Sequence, residues 1–152
     1  MKTFLSTFLI LFFFACFSNI VHAAEMYPKQ GATFKNTYVW DGRELKPKQG
    51  ATFKNTWTFD GREVKPRQGA TFKNTYTWDG KEFKPRQGAD FKNTYVWDGR
   101  ELKPKQGATF ENTWTFDGKE WKLKQGADFK NTWVIKGKIP LPVMFLVLLS
   151  HT

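Results

Sequence analysis

A 19-residue unit, repeated six times in tandem, constrains this chain more than any other feature. The first copy, residues 29–47, reads KQGATFKNTYVWDGRELKP, and the others begin at Lys48, Arg67, Arg86, Lys105 and Lys124. A period this short means one small supersecondary unit. Such a unit cannot bury its own apolar face and must be covered by its neighbours.

Within the unit, Thr37-Tyr38-Val39-Trp40 is β-prone and runs directly into Asp41-Gly42. Asp-Gly between two alternating runs predicts a hairpin with a type I′ turn, whose two central residues need positive φ. The pair recurs as Asp60-Gly61, Asp79-Gly80, Asp98-Gly99 and Asp117-Gly118, while the last copy has Lys136-Gly137. Gly31 marks the other bend. This turn sets Trp40 opposite Arg43, and Tyr38 opposite Leu45. Alternation then places Phe34, Tyr38, Trp40, Arg43 and Leu45 on one face, and Thr37, Val39, Glu44 and Lys46 on the other. Arg43 beside Trp40 is positioned for a cation–π pair.

The copies support a shared aromatic face. Tyr38 goes with Trp40, but Trp57 goes with Phe59 and Trp133 with Ile135. The second side chain shrinks when the first grows, as neighbours in one packed space must. The stretch 34–53 is identical to 91–110, which points to duplication of a three-copy block. One hairpin is not stable alone, so successive hairpins should pair edge to edge. The fold class expected is all-β: tandem β-hairpin repeats forming a meandering antiparallel array of twelve short strands, two per copy. The array is left open, closed as a barrel or coiled; the alternative is a β-solenoid with one coil per 19-mer. Pro47, Pro66, Pro85 and Pro104 should end strands, since each removes a ladder donor. Asn36 and its copies should bond nearby backbone at a bend, and so should Gln30.

The ends divide the chain into 1–23, 24–138 and 139–152. Lys2, the apolar run 4–17 and Val21-His22-Ala23 have the form of a secretory signal peptide cut after Ala23. Phe13-Phe14-Ala15-Cys16 offers a second reading, a lipoprotein signal acylated at Cys16. Export places the protein in the periplasm, at the cell surface or outside the cell. The tail Val143-Met144-Phe145-Leu146-Val147-Leu148-Leu149 is too short for a bilayer span, which needs roughly 17–25 residues. It is expected to cap the last copy, or else to form a short helix from near Pro142 that contacts a membrane.

Residues 24–138 contain no histidine, serine or cysteine; Ser150 and His151 lie in the tail. A nucleophilic triad or a His/Cys zinc site cannot be built from them. Asp41 and Glu44 are flanked by cations, and the turn accounts for Asp41. We therefore expect no enzyme, cofactor or metal site. The chain carries a net charge of +10, or +9 without Lys2. An evenly basic exported protein is drawn to anionic polymers and membranes. The partners expected are anionic polysaccharide, lipopolysaccharide or wall polymer, with nucleic acid ranked below them. The candidate ligand surface is Tyr38, Trp40, Arg43, Trp57, Arg62, Tyr76, Trp78, Tyr95, Trp97, Arg100 and Trp114, as stacking rings with neighbouring cations. The Thr-x-Thr pairs on the other face, such as Thr56 and Thr58, have the alternation of an ice-binding ladder.

An aromatic-x-aromatic run followed by an acidic-Gly turn resembles bacterial choline-binding cell-wall repeats. Phe34-x-x-Thr37-Tyr38-x-Trp40-Asp41-Gly42 is also similar to MORN repeats. The likeness covers residues 29–138. The Gly-Trp opening of the first family and the Gly-x-Trp-x-x-Gly spacing of the second are absent. The resemblance implies hairpin arrays that attach proteins to wall polymers or membranes. The function expected is an exported, non-enzymatic repeat protein of the bacterial cell envelope, binding or structural. The alternative is an envelope protein held to a membrane by its tail.

Overall fold

Each 19-mer folds as a hairpin, and a computed structural model describes residues 23–151. The expected export signal and Cys16 lie outside the described residues, Ala23 excepted. The chain enters with β1 (Ala24–Pro28) and continues through five hairpins. These are β2 (Tyr38–Trp40) with β3 (Glu44–Pro47), β4 (Trp57–Phe59) with β5 (Glu63–Pro66), and β6 (Tyr76–Trp78) with β7 (Glu82–Pro85). They continue with β8 (Tyr95–Trp97) and β9 (Glu101–Pro104), then β10 (Trp114–Phe116) and β11 (Glu120–Leu123). A last strand, β12 (Trp133–Lys136), precedes the helix α1 (Leu141–Leu149). The twelve strands close into one antiparallel barrel. The hairpin array is thus a closed meander, not a solenoid.

The turn differs from the expected one. Trp40 pairs with Leu45, Val39 with Lys46 and Tyr38 with Pro47. The turn centre is therefore Gly42-Arg43, one residue later than Asp41-Gly42. Gly42 has φ 99°, and no non-glycine residue among those described has positive φ. Glycine first is the pattern of a type II′ turn. Asp41 stands before the turn, where its carboxylate accepts the N–H groups of Arg43 (3.0 Å) and Glu44 (2.8 Å). The pairing shifts by two residues, so every strand residue keeps its face. Tyr38, Trp40 and Leu45 point inward, while Val39, Glu44 and Lys46 point outward. Three residues outside the strands depart from the expected faces: Phe34 and Arg43 are exposed, and Thr37 is buried, because alternation does not hold through the loop and the turn.

Closure uses a strand that lies before the first copy. β1 pairs with β2 on one side, Met26 opposite Tyr38, and with β12 on the other, Met26 opposite Ile135. Its Glu25 and Pro28 are in phase with Glu44 and Pro47. β1 is the missing second strand of the sixth copy, supplied from the other end of the chain. The ring has no free edge to recruit another chain.

Barrel diameter grows with strand number, and eight strands already leave an interior that side chains just fill. Twelve strands leave a lumen that their side chains alone cannot fill. Helix α1 fills it. Val143, Met144, Phe145, Leu146, Val147 and Leu148 are buried together with Met26, Leu45, Val64, Phe83, Leu102 and Trp121, one inward residue from each copy-phase position. Phe145 meets Trp78, Phe83, Trp97 and Trp121 at ring centroids of 5.4, 5.8, 5.9 and 5.7 Å. The Trp121 indole N–H donates to Met144 Sδ at 3.4 Å. A helix apolar on all sides belongs in an interior. The tail is a plug along the barrel rather than a cap over one end. Membrane contact through residues 143–149 would require α1 to leave the barrel. No helix among the described residues is long and apolar enough to cross a membrane.

Gly137 makes the plug possible. It has φ 82°, and a Cβ added there would lie 2.9 Å from the Cβ of Ala24. The chain turns here from the wall into the lumen, passing directly over β1. Gly137→Ala should cost about 2 kcal/mol or more, through positive φ and the clash. Gly118→Ala, where a Cβ meets open space, should cost less. Chemical denaturation of the two variants checks this difference.

Candidate functional site

The loops that join successive hairpins are built by a recurring set of hydrogen bonds. In the second copy, Asn55 Oδ1 accepts the Thr52 N–H at 2.6 Å and Asn55 Nδ2 donates to the Gly50 carbonyl at 3.1 Å. The buried Thr56 hydroxyl donates to the Thr52 carbonyl at 2.7 Å. Asn36, Asn74, Asn93, Asn112 and Asn131 make the same clamp. Asn therefore holds a bend, as its recurrence suggests. Gln49 and Gln68 contribute main-chain N–H groups to the carbonyls of Phe34 and Phe53. The first threonine of each Thr-x-Thr pair is buried by this loop, so no flat exposed threonine ladder forms.

This scaffold displays one phenylalanine per copy. Phe34, Phe53, Phe72, Phe91, Phe110 and Phe129 are each 56–63% exposed. A cation from the start of the next copy covers each ring. Arg67 lies 4.5 Å from the Phe53 centroid and Arg86 4.4 Å from that of Phe72. Lys48, Lys105 and Lys124 cover Phe34, Phe91 and Phe110. Each cation also meets a glutamate on the strand before the loop: Lys48–Glu25 at 2.6 Å, Arg67–Glu44 at 3.1 Å and Arg86–Glu63 at 2.9 Å. Lys105 and Lys124 bind Glu82 and Glu101 in the same way. Lys29 closes the circle, meeting Glu120 at 2.8 Å and the Phe129 ring at 5.2 Å. Glutamate, cation and phenylalanine thus form a ring of triads around one mouth of the barrel.

Electrostatics divides the cations of this mouth into two sets. Those in the triads are neutralised locally. The Lys105 ammonium holds the Glu82 carboxyl below its usual range, and Lys124 does the same for Glu101. Solvent screens these pairs, and the cation–π contact adds about 0.5–1 kcal/mol. The second set sits beside the phenylalanines. Lys35, Lys54, Lys73, Lys92 and Lys130 are exposed, and none has an ion pair among the described residues. The rim therefore presents apolar rings beside uncompensated ammonium groups.

The aromatic residues expected from sequence to form a ligand surface are turned inward, where Tyr38, Trp57 and Tyr76 line one cavity beside α1. Tyr38, Trp40, Trp57, Tyr76, Trp78, Tyr95, Trp97 and Trp114 all pack inward on the core. Burial raises the pKa of the Tyr38 and Tyr95 hydroxyls. Trp114 is almost wholly buried, and its indole N–H has no hydrogen-bond partner among the described residues. Arg43, Arg62 and Arg100 are exposed on the hairpin turns, at the opposite mouth from the phenylalanines. Their turns are fixed by aspartate: the Glu63 N–H holds the Asp60 carboxyl below its usual pKa, and Glu101 acts likewise on Asp98. The cation–π contacts fall on the six loop phenylalanines and on Tyr27, which Lys136 covers, and not on Arg43 and Trp40. A signal for the crown was present in the sequence. The phenylalanine does not vary among the copies, whereas the inward positions trade volume.

Compared with known proteins, the chain matches no family model, no curated protein and no solved structure.

Proposed function

We propose that this is an exported, non-enzymatic binding protein of the bacterial cell envelope, which attaches to anionic or sugar-bearing polymers through its phenylalanine crown. The observation that carries the reading is the set of loop phenylalanines, held exposed by hydrogen-bonded loops with unpaired lysines beside them. Exposed apolar groups grouped at one end of a molecule mark interaction surfaces. Lysines next to them favour a partner with phosphate or carboxylate groups. The circular arrangement gives several equivalent contacts to a repeating polymer, so weak single contacts sum to useful avidity. Export is supported by the N-terminal pattern and by the position of β1. A cut after Ala23 leaves the closing strand intact, with Ala24 at its start.

The test is a binding screen against lipopolysaccharide, wall glycan and single-stranded DNA at low and high salt. We expect binding to lipopolysaccharide or wall polymer that weakens with salt. Replacing Phe34, Phe53, Phe72, Phe91, Phe110 and Phe129 by serine should lower that binding by more than about tenfold, since avidity multiplies each loss. Six lost cation–π contacts should lower the melting temperature, but the melt should stay cooperative because the rings lie outside the core. Binding by the six-serine variant equal to that of the parent would overturn the reading.

A further inference from the structure

The lumen is not filled evenly. The rings that Phe145 meets, Trp78, Phe83, Trp97 and Trp121, all belong to the third to fifth copies. The equivalent inward position holds Phe83, Leu102 and Trp121 in these copies and Leu45 and Val64 in the first and second. Phe145 thus directs its ring contacts at the third to fifth copies. On the other side a cavity of ≈ 460 Å³ remains, between α1 and the wall of the first three copies. Its volume falls within the roughly 300–1,000 Å³ of small-molecule sites.

The cavity is graded from apolar to cationic. Its depth is lined by Leu45, Phe83, Leu146 and Val147. Its wall is formed by Tyr38, Trp57 and Tyr76, and neither tyrosine hydroxyl has a hydrogen-bond partner among the described residues. Lys35 stands at the mouth, exposed and without an ion pair among the described residues. The matching positions Lys54 and Lys73 keep the charge positive over this side, whereas Glu111 reverses it in the fifth copy. The interior suits a saturated chain, and the mouth offers donors to an anion.

We propose that this cavity binds a single-chain carboxylate amphiphile, with its acyl chain between α1 and the wall and its carboxylate at Lys35. This site shares Lys35 with the phenylalanine crown, but none of the six crown phenylalanines lines it. The probes are dodecanoate and dodecanol below their aggregation limits, titrated by calorimetry. Dodecanoate should bind with saturation and dodecanol more weakly. Leu45→Trp, which copies Trp121 of the fifth copy, should abolish binding while the protein still melts cooperatively. Lys35→Glu, which copies Glu111, should weaken dodecanoate about tenfold, the scale of one charge-assisted contact, and leave dodecanol unchanged. Lys35 lies on an exposed loop, so this variant gives a result even if Leu45→Trp does not fold. The six-serine crown variant should bind dodecanoate as the parent does. The proposal fails if dodecanoate does not bind, or if its affinity is the same in Lys35→Glu as in the parent.

Discussion

Removing residues 139–152 should leave a chain that cannot hold its barrel. Six consecutive side chains, residues 143–148, are buried. Each contributes about 1.5–3 kcal/mol when fully buried. Together they match or exceed the roughly 5–15 kcal/mol by which a whole domain is stable. The shortened chain should lose its near-ultraviolet circular dichroism, bind hydrophobic dyes and aggregate. Phe145→Ala is the milder version and should cost about 3–5 kcal/mol, as for other buried aromatic truncations. A shortened chain that is more soluble than the parent, with a cooperative melt, would show that α1 is no plug.

A chain beginning at Lys29 should fail in a different way. Without β1 the ring is open, and β2 and β12 become free edges. Such edges recruit other chains. The truncated protein should elute as oligomers, and a peptide of sequence AEMYP in excess should restore the monomer by strand addition. Met26→Asp, which places a charge among buried apolar groups, should destabilise by more than about 4 kcal/mol. Size-exclusion chromatography with and without peptide decides the matter. A monomeric truncated chain with unchanged stability would rule out closure by β1.

Local features of the fold were legible in the sequence, and the long-range ones were not. Thr37-Tyr38-Val39-Trp40 with its aspartyl turn gave the hairpin, and alternation gave the faces of Tyr38, Trp40 and Leu45. The turn type was misread because Asp41 serves as a side-chain cap and not as a turn centre. Phe34 was misplaced because the parity of a strand does not pass through a loop bend. Closure stayed one of several open arrangements because β1, the closing strand, shares its phase with the copies at Glu25 and Pro28 but carries neither the loop nor the glycine turn. The same gap concealed the role of the tail. A short apolar run can be recognised as a helix, but where it goes depends on lumen width, which depends on how many strands join. For the candidate site, the outcome turned on closure as well. Once the ring shuts, the aromatic face lies inside, and the outer rim is left to Phe34 and its equivalents.

The partnership of α1 with a twelve-stranded wall also bears on how the gene can change. Tandem units of nearly identical sequence are prone to gain or lose a unit by unequal recombination. An open array tolerates such events, because one more unit only lengthens it. Here a seventh unit would widen the bore around a rod of fixed girth, and a version with five units would squeeze it. Copy number in this architecture is therefore locked to the thickness of the segment it encloses, and length variants should be purged unless the rod is altered at the same time.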